Sequence, residues 1–334
     1  MAQTKAKHHH LIPQTYLKAW ANSRGTVKIQ SLDNPNTTAE RNIRSIACIT
    51  DFYTIKAGMP ICTQKDADTI FSPLESCQVE LDGKTLSDSL ALNSKYYDFD
   101  RWRITHADGS PASKKKIKSQ IEQNKIKDIE ENWSIKYENK WNSEVEAITS
   151  AVHVTSTLEI PEFDREFLTK FYTALDWRGF CSSQEFESVL QSITDKLPAN
   201  IIIPEDDRAL PHLNTPHEEM RHCLLLRYYR DFLNDSGVIY SDAMASLHKT
   251  SFHFLVASGS TKFITSDSPA FTHKSEGGDI LGLLPITPNI LMAKGRCQTD
   301  NGKYYITHLT DKEVRIYNEI IYSNATEFVV LEHE

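Results

Sequence analysis

Three consecutive histidines, His8, His9 and His10, are the residues of this sequence best suited to carry chemistry. Imidazole changes charge near neutral pH, and in its neutral form it is the commonest metal ligand in proteins. Side chains alternate along an extended segment, so His8 and His10 share one face and His9 points to the other. At most two of the three can therefore serve one site. The alternative is a surface terminus that carries solvated histidines.

The histidines lead directly into a short segment with the pattern of a helix. Its apolar residues Ile12, Tyr16, Leu17 and Trp20 have helical spacing, and Pro13 suits a first helical turn, where its missing N–H is not needed. A purification tag has about six or more histidines followed by a linker, so this continuation indicates that the histidines are native. We therefore expect them to precede a docked helix.

Asp267 is the second candidate, because it stands at the predicted end of a strand. It follows the run Phe263–Ser266 and precedes Ser268 and Pro269. Functional side chains are often carried by loops that a rigid scaffold positions. In the alternative interpretation, the carboxylate accepts a backbone N–H in an Asx turn and fixes the chain reversal before Pro269. The sequence favours neither interpretation over the other.

Two further charged residues are candidates because of the helices that should carry them. Glu75 opens a predicted helix, where the helix dipole favours a carboxylate regardless of function. Arg178 and Asp176 lie in an apolar helical pattern and need partners if they are buried. The simpler explanation is an ion pair. The more specific explanation is an anion site in which Arg178 binds substrate. The same arginine could hold Asp267 in place.

Several of these residues stand in motifs that resemble those of a known family. The opening His9-His10-Leu11-Ile12-Pro13-Gln14-Thr15-Tyr16-Leu17 with Trp20 resembles the first signature of the family called domain of unknown function 4238. Later pieces follow in order, namely Phe52-Tyr53, Glu75, Arg178 and Thr265-Ser266-Asp267-Ser268-Pro269. The chain departs from the usual pattern at Leu11, Trp20 and Ser268. The resemblance implies which residues to examine, but the family carries no established activity.

A region rich in lysine and aromatic residues is a candidate contact for nucleic acid. Aromatic rings can stack on bases, and lysines can neutralise phosphate. The alternative is that the lysines form a solvated helix face and the aromatics belong to the core. The region comprises Lys114, Lys115, Lys116, Lys118, Tyr96, Tyr97, Phe99 and Trp102, with Asp98, Asp100, Arg101 and Arg103 among the aromatics.

The segment from His217 to His222 does not match a zinc-protease helix. That motif places two histidines four residues apart on one helix face, whereas a spacing of five turns the second by roughly 140°. Thr215, Pro216 and Glu218 instead fit a capping box, with Thr215 as the N-cap and Glu218 three residues later.

Hydrophobic periodicity predicts the elements that must position these residues. The first half reads as a strand over Val27–Asp33, a short helix over Thr37–Thr50, a long amphipathic helix broken once between Ser113 and Ser150, a helix through Phe167, Phe171, Leu175 and Arg178, and a helix from Thr215 to about Leu233. The C-terminal part reads as strands at Ser251–Ala257, Lys262–Ser266, Ile280–Leu284 and Ile290–Ala293, a hairpin after Asn301-Gly302, a helix over Glu313–Ser323 and a strand over Glu327–Leu331.

These elements predict an α+β fold. In it, a helical middle region packs on a mostly antiparallel C-terminal sheet, and the N-terminal segment returns to that sheet. We expect an N-terminal α/β segment with the histidine motif over 1–110, a helical region over 111–245 and a mainly β region over 246–334, together forming one compact unit. A chain of 334 residues, 40% of them apolar, can bury a core for one large domain or two interleaved ones.

Composition argues against several classes of function. A formal charge of −8 disfavours nonspecific coating of nucleic acid, although a local basic patch can still bind it. There is neither a run of about 18 apolar residues nor a secretion signal, so we expect a cytoplasmic protein without membrane contact. The six cysteines include no CxxC pair, and phosphate-binding glycine loops and a GxSxG elbow are missing.

The sharper functional hypothesis is a metal-assisted hydrolase. His9 or His10, together with Asp267, would hold one divalent ion such as zinc, manganese or magnesium, which lowers the pKa of bound water. Together with Glu75 they form the predicted catalytic set, and Gln14, Tyr16, Arg178 and Ser266 would bind substrate. If that substrate is a phosphodiester, Arg178 and the lysines near residue 115 supply countercharge. The hypothesis is then that the protein is a nuclease that acts as a host-defence or toxin-like effector.

The competing hypothesis is a non-enzymatic binding module. Arg178 and the histidines would bind an anionic ligand or a protein partner, and Asp267 would be a turn residue. Metal content separates the two hypotheses, because only the first requires a bound ion.

Overall fold

A computed structural model describes residues 8–153, 164–178, 201–205, 210–247, 249–275, 280–296 and 304–333, together with 191, 208 and 278. Contacts between Cα atoms divide the chain into two compact units. Unit 1 comprises Met1–Thr50, Trp133–Val189 and Asp231–Glu334, and unit 2 comprises Asp51–Asn132 and Leu190–Arg230. The two units therefore interleave along the chain.

Both units contain helices and mostly antiparallel strands, and the helices and strands occur in separate runs along the chain, which confirms the predicted α+β class. The α-helices of the described residues are α1 (Gln14–Leu17), α2 (Gln64–Ile70), α3 (Ser89–Ser94), α4 (Lys114–Gln123), α5 (Asp128–Trp133), α6 (Asn139–Val152), α7 (Arg165–Arg178), α8 (Pro216–Leu233), α9 (Gly237–Leu247) and α10 (Asp311–Asn324). None of these described helices is both long and apolar enough to span a membrane.

The strands of the described residues form four sheets. They are β1 (His8–His10), β2 (Thr26–Ser31), β3 (Thr38–Asn42), β4 (Cys48–Thr50), β5 (Cys77–Leu81), β6 (Lys84–Thr85), β7 (Arg103–His106), β8 (Thr250–Ala257), β9 (Thr265–Ser266), β10 (Phe271–Lys274), β11 (Ile280–Thr287), β12 (Ile290–Arg296), β13 (Tyr304–Leu309) and β14 (Phe328–Leu331). Unit 1 contains the pair β1-β4 and the sheets β10-β11-β12-β8-β13 and β3-β2-β14-β9, and unit 2 contains β6-β5-β7.

The N-terminal segment returns to these sheets, as predicted. The Trp20 indole N–H donates to the carbonyl of Phe263 at 3.1 Å, just before β9. The Tyr16 hydroxyl lies 2.7 Å from the Thr265 hydroxyl in β9 and donates to the carbonyl of Pro285 in β11 at 2.7 Å. Both aromatic side chains are fully buried, so hydrophobic burial and satisfied polar tips together fix helix α1.

Stacked aromatic rings join helices α6 and α7 in unit 1. The rings of Trp141 and Phe171 are nearly parallel, with centroids 4.0 Å apart, and Tyr16 packs on Trp141 at 6.0 Å. Aromatic pairs contribute about 0.5–1.5 kcal/mol each beyond area burial. The α1 helix is therefore held by both the sheets and the helical layer.

In unit 2 a buried ion pair supports an apolar core. The guanidinium of Arg230 binds both carboxylate oxygens of Asp66, and its Nε lies 2.7 Å from Asp128. Asp66 is 3% exposed and also completes a capping box with Thr63 at the start of α2. The core around it consists of Ala67, Ile70, Phe71, Leu74, Val79, Leu81, Leu92, Phe99, Trp102, Ile104, Ile117 and Ile121.

Most elements with a strong local pattern are where the sequence predicts them. Helices α7, α8 and α10 and strands β2, β8, β11, β12 and β14 confirm their predictions within a few residues. The long helix over 113–150 is interrupted at 124–127 and contains the π-helical turn Ser134–Glu138. The capping box at the start of α8 is also confirmed, because Thr215 and Glu218 exchange side-chain to backbone hydrogen bonds.

Two predicted elements are wrong. The segment 37–50 is not a helix, since it forms β3, the single 3₁₀ turn Ile43–Ser45 and β4. Its buried Ile43 and Ile46 have helix-like spacing, but β3 pairs with β2 and the Asn42 side chain caps the turn at the N–H of Arg44. The strand predicted at Lys303–Ile306 is present as β13, but it pairs in parallel with β8 rather than in a hairpin, and Asn301-Gly302 lies outside the described residues.

His222 is buried in unit 2 against an aromatic ring. It is 5% exposed, and its ring meets Phe52 edge-on at 4.8 Å. Burial, together with the nearby charges of His212 and Lys56, lowers the pKa of His222 to about 4. The neutral imidazole is therefore the form that the fold accommodates.

We predict that this histidine makes the protein sensitive to acid. The folded-state pKa lies below the unfolded value of about 6.5, so stability is unaffected above that pH and falls by about 2–3 kcal/mol as pH drops toward 4. Urea unfolding at pH 7 and pH 4.5 should show a smaller difference for His222→Gln than for the parent protein. The exposed His106→Gln is the control, and an unchanged pH difference in His222→Gln would refute the assignment.

Candidate functional site

The histidine segment is an ordered strand rather than a solvated terminus. Strand β1 pairs antiparallel with β4, with His9 opposite Ile49 and His10 opposite Cys48. The N–H of Leu11 continues the pairing by donating to the carbonyl of Ala47 at 2.7 Å. His9 is completely buried, and His10 is half-buried. Of these two imidazoles, His10 is thus the one with access to solvent.

The ring of His10 is held by two neighbours. Its Nε2 lies 3.1 Å from the carbonyl oxygen of Arg44 and 3.2 Å from the side-chain amide nitrogen of Gln14. Gln14 was predicted to bind substrate, and it lies on the first turn after Pro13, four residues from the histidine. Nε2 donates to the Arg44 carbonyl when it carries the proton and accepts the Gln14 N–H when it does not, so one of the two contacts orients the imidazole in each neutral tautomer.

Arg178 holds the backbone of this strand. Its side chain is 3% exposed and donates a guanidinium N–H to the carbonyl of His10. The guanidinium carbon Cζ lies 4.1 Å from the ring centroid of the buried Trp133, which is a cation–π contact. The structure thus brings together three predicted site residues, His10, Gln14 and Arg178. The guanidinium of Arg178 thus binds a backbone carbonyl of the protein itself.

Tyr16 and Ser266 are buried among polar groups of the protein. The hydroxyl of Tyr16 is shared between Thr265 and Pro285, and burial raises the pKa of Tyr16 far above its ordinary value. The hydroxyl of Ser266 accepts the N–H of Ser268 at 3.2 Å. Both side chains were predicted to bind substrate, which stays a prediction. The Tyr16 contact joins β9 to the N-terminal helix, and the Ser266 contact is local to the end of β9.

Asp267 binds backbone amides from a distant part of the chain. Its carboxylate accepts the N–H groups of Thr326, Glu327 and Phe328, at distances of 2.9, 2.5 and 3.3 Å. The residue is fully buried, and this burial raises its pKa, while the three amide bonds counteract the shift. Three of the roughly four acceptor positions of the carboxylate are thus used to hold the turn between α10 and β14.

Glu75 belongs to unit 2, whereas the other predicted site residues belong to unit 1. It is exposed and follows the 3₁₀ turn Ser72–Leu74 rather than opening an α-helix. Over the described part of the chain, no three or more histidine, cysteine, aspartate or glutamate side chains are grouped so as to hold a metal ion. The metal-binding roles of His9, His10 and Asp267 remain predictions.

A second candidate site is a cavity of about 370 Å³ in unit 2. It contains part of the lysine-rich and aromatic region that the sequence singled out, namely Lys118, Tyr96, Tyr97, Phe99 and Asp100. Sequence reasoning missed its other cationic residues, Lys56, Lys125 and Arg208. Of the predicted aromatics, Phe99 and Trp102 are core residues, whereas Tyr97 is 71% exposed.

Local backbone structure brings the cavity's side chains together. An isolated antiparallel bridge joins Ile55 to Ile126, so Lys56 comes opposite Lys125. On α4, Lys118 lies one turn before Ile121 and Glu122, which places the three on one helix face. Tyr96 and Tyr97 lie in the 3₁₀ helix Tyr96–Arg101. These three elements supply most of the cavity lining.

A glycine and a buried asparagine fix the loop beside the tyrosines. Gly58 has φ +87°, and a Cβ at this position would lie 3.1 Å from the ring of Tyr97. The side chain of Asn93 accepts the N–H of Gly58 at 2.8 Å and donates to the carbonyl of Met59 at 2.9 Å. Because residue 58 is a glycine, the backbone can lie close to the ring of Tyr97, and the two hydrogen bonds to Asn93 hold it there.

The electrostatic environment of the cavity favours an anion. Four of its lining side chains are cationic and two, Asp100 and Glu122, are acidic. Burial lowers the pKa of Lys56, and the charge of Lys125 lowers it further, although Asp51 partly compensates. Asp51 is also the ion-pair partner of Lys125, at 2.6 Å. A bound anion would relieve the repulsion between these two lysines.

Fold and sites together define a mixed α+β protein with a buried histidine strand in one unit and a cationic cavity in the other. The chain belongs to the family described as protein of unknown function (DUF4238), whose profile matches residues 8–334. This match confirms the resemblance carried by the histidine opening and the Thr265–Pro269 motif. No curated protein and no solved structure matches the chain.

We predict that Asp267 stabilises the fold through its backbone bonds. Asp267→Asn replaces one acceptor oxygen by an NH₂ group that faces amide donors, so the free energy of unfolding should fall by about 1–3 kcal/mol. Urea unfolding at neutral pH measures the change, with the exposed Asp33→Asn as the control. A parent-like unfolding midpoint for Asp267→Asn would contradict a structural role.

Proposed function

We propose that this protein binds a small anionic ligand in the cavity of unit 2. The observation that carries the proposal is the excess of cationic over acidic side chains around a cavity of about 370 Å³. This volume falls within the range of roughly 300–1,000 Å³ that is usual for small-molecule sites. The proposal is a form of the non-enzymatic binding hypothesis, with a different set of binding residues.

The contacts of the cationic residues support this proposal. Arg208 donates to the carbonyls of Ile203 and Pro211, at 3.0 and 3.2 Å, so these contacts do not neutralise its charge. Lys118 lies over the ring of Phe99, with its Nζ 5.9 Å from the centroid. Within the described part of the chain, no carboxylate lies within ion-pair distance of Lys118. Its charge is therefore available to a ligand.

We predict that Lys118→Ala weakens the binding of adenosine monophosphate and of inorganic pyrophosphate by about tenfold. The expected loss corresponds to one charge-assisted contact, about 1.4 kcal/mol. Isothermal titration calorimetry on the full chain measures it. Lys115→Ala is the matched control, because Lys115 is exposed on the same helix and does not line the cavity.

The salt dependence provides a second readout of the same prediction. Raising the ionic strength should weaken binding to the parent protein more steeply than binding to Lys118→Ala. If neither probe binds, or if Lys115→Ala and Lys118→Ala behave alike, the cavity is not the anion site.

Metal-assisted hydrolysis of a phosphodiester at the histidine strand is a second candidate function. The observation that favours it is the order of the imidazoles, since His9 is buried in paired backbone and the ring of His10 is oriented by Gln14 and Arg44. A fixed imidazole suits metal binding or general base catalysis. The three amide hydrogen bonds of Asp267 leave about one acceptor position of its carboxylate free to bind a metal ion.

The metal content of untagged protein tests this candidate. If the function is correct, elemental analysis should find near-stoichiometric zinc, manganese or magnesium, and His10→Ala should lose it while keeping the parent's circular dichroism spectrum. The exposed His106→Ala is the control. A folded parent protein without metal, whose properties do not change in His10→Ala, would exclude the metal-dependent mechanism.

A further inference from the structure

A cysteine and a histidine face each other across two strands of unit 2. Cys77 begins β5 and is paired with His106 at the end of β7, so the two side chains leave the same face of the sheet. The thiol sulfur Sγ of Cys77 lies 3.8 Å from Nδ1 of His106, a hydrogen-bond contact for sulfur. Cys77 is half-buried and His106 is exposed. The pair is therefore a thiol and an imidazole in contact, with access to solvent.

Contact with an imidazole prepares a thiol for nucleophilic attack. The thiolate, rather than the thiol, is the nucleophile, and a neighbouring histidine can take up the proton. Another half-buried thiol of this unit, that of Cys62, has a different environment. Its Sγ donates to the carbonyl of Lys56 at 3.5 Å, and burial is the main cause that raises the pKa of this thiol to about 12. Of these two cysteines, Cys77 has the setting of a reactive one.

Cys77 also lines a cavity of about 450 Å³ in unit 2. The cavity is bounded by the end of α2 and the 3₁₀ turn Ser72–Leu74, by the start of β5 and by residues between 85 and 92. It shares no lining residue with the lysine-lined cavity of the same unit, so it is a separate candidate site. Its volume lies in the usual range for small-molecule sites, roughly 300–1,000 Å³. A molecule bound there lies next to the thiol.

The charged side chains that line this second cavity are both acidic. They are Asp68 and Glu75, and no lysine or arginine is among the described residues of the lining. Asp68 accepts a hydrogen bond from the neutral side-chain amide of Gln64 at 2.9 Å. Within the part of the chain that the structure describes, neither carboxylate forms an ion pair. Two negative charges therefore remain beside the thiol, and they favour a cationic reagent over an anionic one.

We propose that Cys77 undergoes thiol–disulfide exchange with the disulfide of a small cationic aminothiol. The Cys77 thiolate attacks one sulfur of the disulfide, a new S–S bond forms as the old one breaks, and the departing thiolate takes up the proton that His106 had accepted. The disulfide itself is reduced as Cys77 is oxidised, so the reaction needs no other oxidant. The ammonium group of the attached half would lie beside Glu75 or Asp68. Glu75 would then select the reagent by charge.

Peptide mass spectrometry of the full chain measures the rate at which three disulfide probes modify Cys77. The probes are cystamine, hydroxyethyl disulfide and dithiodipropionate, which are cationic, neutral and anionic at neutral pH. Each rate is divided by the rate of the same probe with free mercaptoethanol, which removes differences in intrinsic reactivity. At low salt, cystamine should be preferred over dithiodipropionate by about tenfold. With the neutral probe, Cys77 should react at least about tenfold faster than Cys62. Equal corrected rates for the two charged probes, or equal rates at the two cysteines, would overturn the proposal.

Two variants separate the selection of charge from the activation of the thiol. Glu75→Gln should lower the preference for cystamine about threefold and leave the rate of the neutral probe unchanged. Glu80→Gln is the matched control, because Glu80 lies on β5 but does not line the cavity. His106→Gln should slow all three probes about fivefold and leave the preference unchanged, since the imidazole takes up a proton without selecting the reagent.

Loss of structure cannot imitate the expected result. Unfolding exposes thiols and speeds their modification, so a slower reaction of Cys77 in His106→Gln, with Cys62 still unreactive, supports the thiol–imidazole pair. A parent-like rate at Cys77 in His106→Gln would overturn it. The charge preference is measured on the parent protein and does not depend on how a variant folds. Because the two cavities share no lining residue, these results also stand apart from those of the anion-binding experiments.

Discussion

A buried guanidinium holds the N-terminal strand in its place, and much of unit 1 depends on that contact. Arg178 reaches the carbonyl of His10 from α7 and stacks on Trp133, so one side chain ties the strand to the helical layer. A buried arginine needs such partners, because an unpaired charge away from water is costly. Tyr16 makes the corresponding link to β9 and β11. The histidine opening is therefore an integral part of the core.

Charged residues have different roles in the two units. In unit 1, Arg178 and Asp267 bind backbone carbonyl and amide groups of the protein itself, as charged residues must when they are buried. In unit 2, the cationic side chains lie around a cavity. The second setting leaves charge accessible to a ligand, which is why the proposed binding site lies there. Of the two imidazoles in the histidine strand whose burial the structure describes, that of His10 is accessible.

Local pattern predicted helices α7, α8 and α10, and the contacts between distant residues explain what it missed. Helix α7 follows from the spacing of Phe167, Phe171 and Leu175, which is visible in the sequence. The amide partners of Asp267 come from 326–328, so no nearby residue could distinguish a structural carboxylate from a catalytic one. The cationic cavity was visible only through Lys118 and the tyrosines. Lys56 joins them through a backbone bridge that the sequence does not reveal.

The position of β14 has a consequence for how the chain acquires its structure. In the sheet β3-β2-β14-β9, this strand lies between β2 and β9, with Phe328 opposite Ser31 and Val329 opposite Ser266. During synthesis on the ribosome, β2 and β9 therefore leave the exit tunnel long before the strand that joins them exists. Such non-local pairing is slow to form and leaves strand edges exposed meanwhile. Nascent chains of this protein should consequently rely on chaperones until β14 has left the exit tunnel.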